Sequence, residues 1–437
     1  MDLDTEIRAA SSDPQKLEAL YRAAQQDGQA ERFRAAVLSL YEAAPDNLLY
    51  AAWFHRLQAP DAEAKPRRGV NWLAAIPLSI LTGLIFWALS DVERLLVADL
   101  IPHLLIWWSP IATMSALVFL ALTAKRNLGR AIALGLGVLA AAAYAVLITP
   151  TLAPEWKTEQ YLIIAAIHLP LLCWAALGIS VLGFRSSVED RFAFLIKSIE
   201  VMVMAGLYLI AGMAFGALTV GLFAALNIDL PEIWRRFIVA GGFGLLPVLA
   251  VATVYDPTRP PAEQDFEQGL SRIINTMMRL LLPLTLGLLV VYIFVIPFNF
   301  FAPFESRDLL IVYNLMLFGI LGLLVGATPL RAEDLAPGLR RWLRAGSIAV
   351  AVLTVLISLY AMSATVSRTI EGGFTLNRLT IIGWNVINIG ILLWLLYRQL
   401  RAGRESWVAA SQTMFSKATN AYVVWGLFLL VVVPLLF

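Results

Sequence analysis

The chain has 437 residues, of which 59% are hydrophobic and only 15% are charged, and its mean hydropathy is +0.75. A soluble globular protein is usually about 45–50% apolar and about 25% charged, so this composition excludes an ordinary soluble fold and indicates a membrane protein. The net charge of +2 gives no basic surface of the kind that nucleic-acid binding requires, and no nucleic-acid partner is expected. The single cysteine, Cys173, excludes an intrachain disulfide and a cysteine-based zinc site.

Residues 1–65 are the polar part of the chain and hold 11 of its 31 acidic residues. Apolar side chains recur there at helical spacing, and Asp13-Pro14 is typical of a helix start. The pattern around Tyr21 and Gly28 resembles one tetratricopeptide-type helix pair, and it also fits a short helical hairpin beside the membrane domain. We therefore predict a cytoplasmic helical segment over 1–65, to which a cytoplasmic protein partner would bind.

Residues 66–437 form the predicted transmembrane domain, an all-α bundle of about eleven spans. Each apolar run is close to the ~20 residues that cross ~30 Å of hydrocarbon. The runs are too long and too continuous for barrel strands, so they are predicted to be helices. The predicted spans are 71–90, 101–123, 131–149, 161–183, 201–226, 237–254, 277–297, 309–328, 345–364, 379–397 and 420–437.

Lysine and arginine residues are distributed unequally between the two sides of the predicted spans. Nineteen lie on the side of the N-terminal segment and seven on the other side. Because short cytoplasmic loops are enriched in these residues, the N-terminus is predicted to be cytoplasmic and the C-terminal Phe437 to lie at the outer face.

Acidic side chains are missing from the predicted spans, and Glu200 lies at the edge of the fifth. Since ion-coupled transporters generally use intramembrane carboxylates, this pattern argues against carboxylate-based ion coupling. The chain contains no P-loop, HExxH or GxSxG motif, and its three histidines are widely spaced. No catalytic residue, metal site or cofactor is therefore predicted.

Five polar residues inside the spans are candidates for function, and each also has a structural interpretation. Arg279 either faces a polar cavity or lipid phosphate, or extends to the cytoplasmic headgroups. His168 either shuttles protons or forms a structural hydrogen bond at a proline kink. Asn314, Asn385 and Asn388 either line a site or connect helices through interhelical hydrogen bonds.

Residues 266–398 resemble a bacterial membrane family known as domain of unknown function 4153. The resemblance rests on a helix opening on a polar turn, FEQGLSRIINTMMRLLLPL, on the basic loop TPLRAEDLAPGLRRWLR, and on the motif SRTIEGGFTLNR. The family pattern in that motif matches Arg368, Gly373, Phe374, Thr375 and Arg378, whereas Gly372 stands where the family usually has an aromatic residue. The resemblance implies a bacterial inner-membrane location and no particular activity.

The residues of the SRTIEGGFTLNR motif have their own physical interpretation. A Gly-Gly pair permits a turn with positive φ, and Thr375 or Asn377 is placed to cap the tenth span. Arg368 and Arg378 then flank a helix N-terminus, which favours binding of an anion, phosphorylated solute or anionic lipid. The alternative is that both arginines form ion pairs with nearby acids, namely Glu305, Asp308 or Glu371.

Three classes of function remain open. The chain is a permease or a protein that handles lipids or anionic solutes, a non-catalytic scaffold or regulator that binds a partner through its N-terminal helices, or an intramembrane enzyme. The third has the least support because no acid–base or nucleophilic constellation is present.

Overall fold

The computed structural model describes residues 3–26, 30–58, 69–266, 269–331, 335–404 and 406–436. The described residues are 84% helical, and the chain divides into two compact units, Met1–Gly69 and Val70–Phe437. The boundary predicted after residue 65 and the C-terminal Phe437 lie outside the described residues.

The first unit contains four helices: α1 (Leu3–Ala9), α2 (Pro14–Gln26), α3 (Ala30–Ala43) and α4 (Leu48–Gln58). The predicted start of α2 is confirmed, because Asp13 Oδ1 accepts hydrogen bonds from the backbone N–H groups of Gln15 and Lys16, at 3.1 and 3.0 Å. Tyr21, Phe33 and Trp53 pack edge to face or tilted, with ring centroids 5.2–5.6 Å apart. The unit thus has its own apolar core.

Within the described residues, eleven helices are long and apolar enough to cross a membrane, as the sequence predicts. They are α5 (Trp72–Leu89), α6 (His103–Ala124), α7 (Leu128–Thr151), α8 (Glu155–Leu182), α9 (Val188–Ala225), α10 (Glu232–Val254), α11 (Gly269–Asn299), α12 (Arg307–Ala327), α13 (Pro337–Gly372), α14 (Leu376–Arg401) and α15 (Trp407–Leu436). Two short antiparallel strands, β1 (Leu96–Val97) and β2 (Ile101–Pro102), connect α5 to α6.

Two of these helices are much longer than the predicted spans. Helix α9 has 38 residues and α13 has 36, whereas about 20 residues suffice to cross the hydrocarbon. Helix α9 starts at Val188 because the Ser187 side chain caps it, accepting a hydrogen bond from the Asp190 N–H at 3.0 Å. The prediction for this span began at 201 because hydropathy locates only the apolar part of a helix.

Helices α5 and α10 pack especially closely through glycines. A Cβ added to Gly244 would lie 2.6 Å from Gly83 Cα, and one added to Gly83 would lie 2.7 Å from the Gly241 carbonyl oxygen. Small residues allow this approach of two helix backbones within a membrane. At one end of the pair, Arg236 Nη1 donates to Asp91 Oδ2 at 2.9 Å.

The apolar core of the membrane unit lies in two main clusters. The larger one is formed by α11 to α15 together with the first part of α9. The second is formed by α6, α7 and α8 together with the end of α15. Helix α8 packs against both α14 and α15, so the two clusters meet along these three helices.

A proline at the end of α15 contributes to that junction. Pro434 has no N–H, so the carbonyl of Leu430, four residues earlier, lacks its usual helical donor. The buried Tyr161 hydroxyl of α8 donates to this carbonyl at 2.9 Å. Because the proline leaves the Leu430 carbonyl without a donor, this carbonyl accepts the hydrogen bond from Tyr161 that connects α15 to α8.

Candidate functional site

His168 lies near the middle of α8 and is 1% exposed. Its Nε2 accepts a hydrogen bond from the indole N–H of Trp384 on α14, at 2.8 Å. An indole nitrogen only donates, so Nδ1 must carry the imidazole proton. Nδ1 then donates to the Ile164 carbonyl one turn earlier, at 2.7 Å. Both ring nitrogens therefore have hydrogen-bond partners, which agrees with the structural interpretation of His168.

Asn388 lies one turn beyond Trp384 on α14 and is 1% exposed. Its Oδ1 accepts a hydrogen bond from the Tyr422 hydroxyl of α15, at 2.7 Å. Its Nδ2 is buried and has no hydrogen-bond partner among the described residues. A buried polar group left without a partner costs about 1–3 kcal/mol. The amide is therefore only half satisfied by the protein.

Trp384 joins the two hydrogen-bonded pairs. Its ring centroid lies 5.6 Å from that of His168 and 5.2 Å from that of Tyr422. Phe318 of α12 packs against the same indole with its centroid at 5.0 Å. We call His168, Trp384, Asn388 and Tyr422 the interior polar cluster. It lies at the junction of α8, α14 and α15, where the two apolar cores meet.

Asn314 and Asn385, two of the other predicted interior residues, do not hydrogen bond with this cluster. Asn314 donates to the Leu310 carbonyl of its own helix at 2.7 Å. This bond is not an interhelical one, which was one of the two alternatives for this residue. Asn385 is 3% exposed, and its side chain makes no hydrogen bond within the described part of the chain. Arg279 is half-buried on α11, and its Nε atom is inaccessible to solvent.

The four residues predicted to bind an anion lie in the turn between α13 and α14 and in the two helix ends beside it. Gly373 has φ of +79°, which confirms the predicted turn at this glycine, whereas Gly372 still belongs to α13. Thr375 caps α14, its hydroxyl accepting from the Arg378 N–H at 3.3 Å. The Arg378 guanidinium donates to the Gly373 carbonyl and lies against Gly372.

Arg368 and Arg378 bind backbone carbonyls rather than acids. Arg368 Nη1 donates to the Phe304 carbonyl at 3.0 Å, and Phe304 belongs to a short helix, Ala302–Glu305, before α12. Neither guanidinium forms an ion pair with any of the three acids suggested by the sequence, which are Glu305, Asp308 and Glu371. Both positive charges at this turn are thus left without a carboxylate.

Helix α14 carries Arg378 in its first turn and two members of the interior polar cluster, Trp384 and Asn388, further along. Arg378 and Asn385 are seven residues apart and therefore share a helix face. Asn388 follows one turn later, roughly 15 Å from Arg378 along the axis at 1.5 Å per residue. One helix thus carries a guanidinium near its N-terminus and two amides near its middle.

Glu200, which the sequence places at the edge of the fifth predicted span, belongs to a buried ion pair. This residue lies within α9 and is 1% exposed, beside Lys197 at 2%. Lys197 Nζ donates to Glu200 Oε2 at 2.7 Å, to the Asp265 carbonyl at 2.6 Å and to Ser271 Oγ at 3.1 Å. The hydrogen bonds to Asp265 and Ser271 connect α9 to the start of α11.

Lys197 and Glu200 were missed because the predicted span began one residue after Glu200. Their spacing of three residues was the available signal, because it brings opposite charges together on one helix face. Trp384 and Tyr422 were missed as well. The signal in the sequence was the presence of an indole N–H and a phenol hydroxyl inside apolar spans, because both groups require hydrogen-bond partners there.

Comparisons of the chain with protein-family models, curated proteins and solved structures gave no match. No group of three or more His, Cys, Asp or Glu side chains among the described residues is placed to hold a metal ion.

Proposed function

We propose that this protein is a permease or lipid-handling protein for anionic, phosphate-bearing solutes or lipids. The observation that carries the proposal is the buried Asn388 amide, whose Nδ2 has no partner at the junction of α8, α14 and α15. A donor left free in an apolar interior is suited to an acceptor oxygen that enters from outside the protein.

The turn before α14 supports the anionic character of the substrate. Arg378 brings a positive charge to the first turn of α14, whose dipole also favours an anion, and Arg368 adds a second charge near the end of α13. Among the described residues, neither arginine forms an ion pair with an acid. A phosphate that first contacts these guanidiniums would be about two to three helical turns from Asn388 along the same helix. The buried carboxylate of Glu200 accepts a hydrogen bond from Lys197. Because it is paired in this way, we assign it no role in ion coupling.

The test uses the full-length protein reconstituted into phosphatidylcholine vesicles. Two probes are followed separately: fluorescent phosphatidylglycerol crossing the bilayer, and radiolabelled inorganic phosphate entering the vesicle. We expect the protein to accelerate at least one of them. Asn388→Leu and the double change Arg368→Ala/Arg378→Ala should each lower the initial rate at least tenfold.

Asn314→Leu is the matched control, because this asparagine bonds within its own helix and lies on a different span. It should keep the wild-type rate. Equal rates for both probes in protein-containing and protein-free vesicles would contradict the proposal. So would an unchanged rate in both the Asn388→Leu and the double-arginine proteins that still purify as folded monodisperse species.

A scaffold or regulator is the second candidate, and the compact first unit is the observation that favours it. Helices α1 to α4 have their own core, which is a suitable platform for a protein partner. Deleting residues 1–69 should release a co-purifying partner while leaving probe movement intact. If the deletion abolishes probe movement and every partner still co-purifies, residues 1–69 serve transport rather than partner binding.

We also propose that the chain resides in a bacterial inner membrane with its N-terminus in the cytoplasm. The distribution of basic residues supports the orientation. The resemblance of residues 266–398 to domain of unknown function 4153 supports the bacterial location and stays a prediction.

A further inference from the structure

A cavity of about 250 Å³ lies at the end of the membrane bundle opposite to the turn before α14. The ends of α6, α8 and α10 and the start of α7 surround it. Its lining includes Ala124, Arg126, Asn127, Arg130, Gly183 and Tyr255. Because these residues lie where four spans begin or end, the cavity is at the level of the lipid headgroups.

The side chains that line this cavity carry positive charge and no carboxylate. Arg126 is exposed, and its side chain makes no hydrogen bond or ion pair. Arg130 Nη2 donates to the Ser180 carbonyl at 2.7 Å, while its Nε is buried without a partner. In the described part of the chain, neither guanidinium forms an ion pair with an acid.

The carboxylates of Asp190 and Asp256, whose charges reach Tyr255, bond to groups outside the cavity. Asp190 accepts a hydrogen bond from the Ala262 N–H at 3.1 Å and another from the Ser187 hydroxyl at 3.0 Å. Asp256 accepts from Thr258 and lies 3.6 Å from Arg259 Nε. Neither acid is among the residues that line the cavity.

The backbone around the cavity adds to its preference for an anion. Asn127 precedes the 20-residue α-helical part of α7, and its side chain does not cap that helix. The first N–H groups of a helix carry a partial positive charge and have no partner inside the helix. Gly183, with φ of +72°, lets the chain turn at the end of α8 beside the Arg130 guanidinium.

We propose that this cavity is a binding site for a phosphate group. Two guanidiniums, an uncapped helix N-terminus and a volume of about 250 Å³ provide charge, donors and space for one such group. At this depth the phosphate is carried by an anionic lipid headgroup or by a soluble phosphate compound. The site is separate from Arg368, Arg378 and Asn388, so it does not depend on the proposed transport activity.

The experiment titrates full-length, delipidated protein in an alkyl maltoside, a detergent without phosphate. Phosphatidylglycerol and inorganic phosphate are added in separate arms. Binding is read from the thermal unfolding midpoint and from native mass spectrometry. We expect at least one ligand to bind and the double change Arg126→Gln/Arg130→Gln to weaken its binding at least tenfold. Binding of phosphatidylglycerol alone identifies a lipid headgroup, and binding of inorganic phosphate identifies a soluble ligand.

Three further variants separate the site from general charge and from misfolding. Arg341→Gln/Arg401→Gln removes two charges predicted to lie on the same membrane side but outside the cavity, and should keep wild-type binding. Arg126→Gln alone breaks no hydrogen bond and should fold normally yet bind several-fold more weakly. Ala124→Phe fills the cavity without changing charge and should also weaken binding.

The proposal is overturned if neither ligand binds, if Arg126→Gln/Arg130→Gln binds as tightly as wild type, or if the Arg341→Gln/Arg401→Gln control loses as much affinity. In the last case the effect belongs to overall charge rather than to the cavity.

Discussion

At the scale of single residues, Lys197 and Glu200 form a buried ion pair in the membrane unit. Both side chains are almost completely removed from solvent. Removal of one member of such a pair leaves an uncompensated buried charge, whereas removal of both does not. The pair therefore makes a clear prediction about single and double substitutions.

Glu200→Gln should lower the free energy of unfolding by about 3 kcal/mol, because the Lys197 ammonium keeps its charge and loses its counter-ion. The double change Lys197→Met/Glu200→Leu should be close to wild type. Ser271 then still has the Asp265 carbonyl as an acceptor, at 3.2 Å. Unfolding in denaturing detergent measures both variants. A double variant less stable than the single one would show that the pair itself stabilises the fold.

The ion pair between Asp91 and Arg236 predicts a dependence on pH. Burial opposes ionisation of Asp91, but hydrogen bonding and attraction by Arg236 outweigh it, so the pKa of this carboxyl lies below its usual value of 3.8. A lowered pKa in the folded state contributes stability above the unfolded pKa, and this contribution is lost as the pH falls toward the folded pKa.

The thermal midpoint of wild type should therefore fall more steeply than that of Asp91→Asn as the pH drops below about 4. Asp229→Asn, at an exposed site between α9 and α10, should follow the wild-type profile. Parallel profiles for wild type and Asp91→Asn would rule out this contribution.

At the scale of elements, the close contact between α5 and α10 requires glycine, which has no side chain, at Gly83 and Gly244. Gly244→Ala would place a Cβ 2.6 Å from Gly83 Cα, so the two helices must separate. We expect a loss of at least about 2 kcal/mol, comparable to other overpacked sites. Thermal unfolding of the purified protein provides the measurement.

Gly242→Ala is the matched control within the same helix, since a Cβ there has no neighbour within 4 Å. Alanine has the higher helix propensity by about 1 kcal/mol, so this variant should be as stable as wild type or more stable. Equal losses at both positions would mean that glycine flexibility, rather than close packing, matters in α10.

At the scale of the whole molecule, the eleven spans and the distribution of basic residues predict on which side each loop lies. Arg404, after α14, should be cytoplasmic, and Asp229, between α9 and α10, should be outside. Both are exposed, and the native Cys173 is buried and gives little background.

Asp229→Cys should react with a membrane-impermeant maleimide in intact cells, and Arg404→Cys only after permeabilisation. The reverse pattern would invert the proposed orientation, and labelling of both in intact cells would contradict the span count.

The sequence alone determined the all-α class and the eleven spans, and it limited the cap of α14 to Thr375 or Asn377. These follow from hydropathy over about 20 residues and from side chains that act on their own backbone neighbours. The same reasoning located His168, Asn388, Arg368 and Arg378 as polar positions. It did not show which of them meet, because each helix carries several faces and only packing selects the face that is buried.

The tertiary structure alone decided the partners. It paired His168 with Trp384 across 216 positions of sequence and Asn388 with Tyr422, and it turned Arg368 and Arg378 toward backbone carbonyls instead of acids. It also brought Arg126 and Arg130 together with the ends of α8 and α10 around one cavity. The physical reason is that in an apolar interior a polar group bonds to whichever helix lies beside it, and the order of helices in space is not encoded in the hydropathy of any single span.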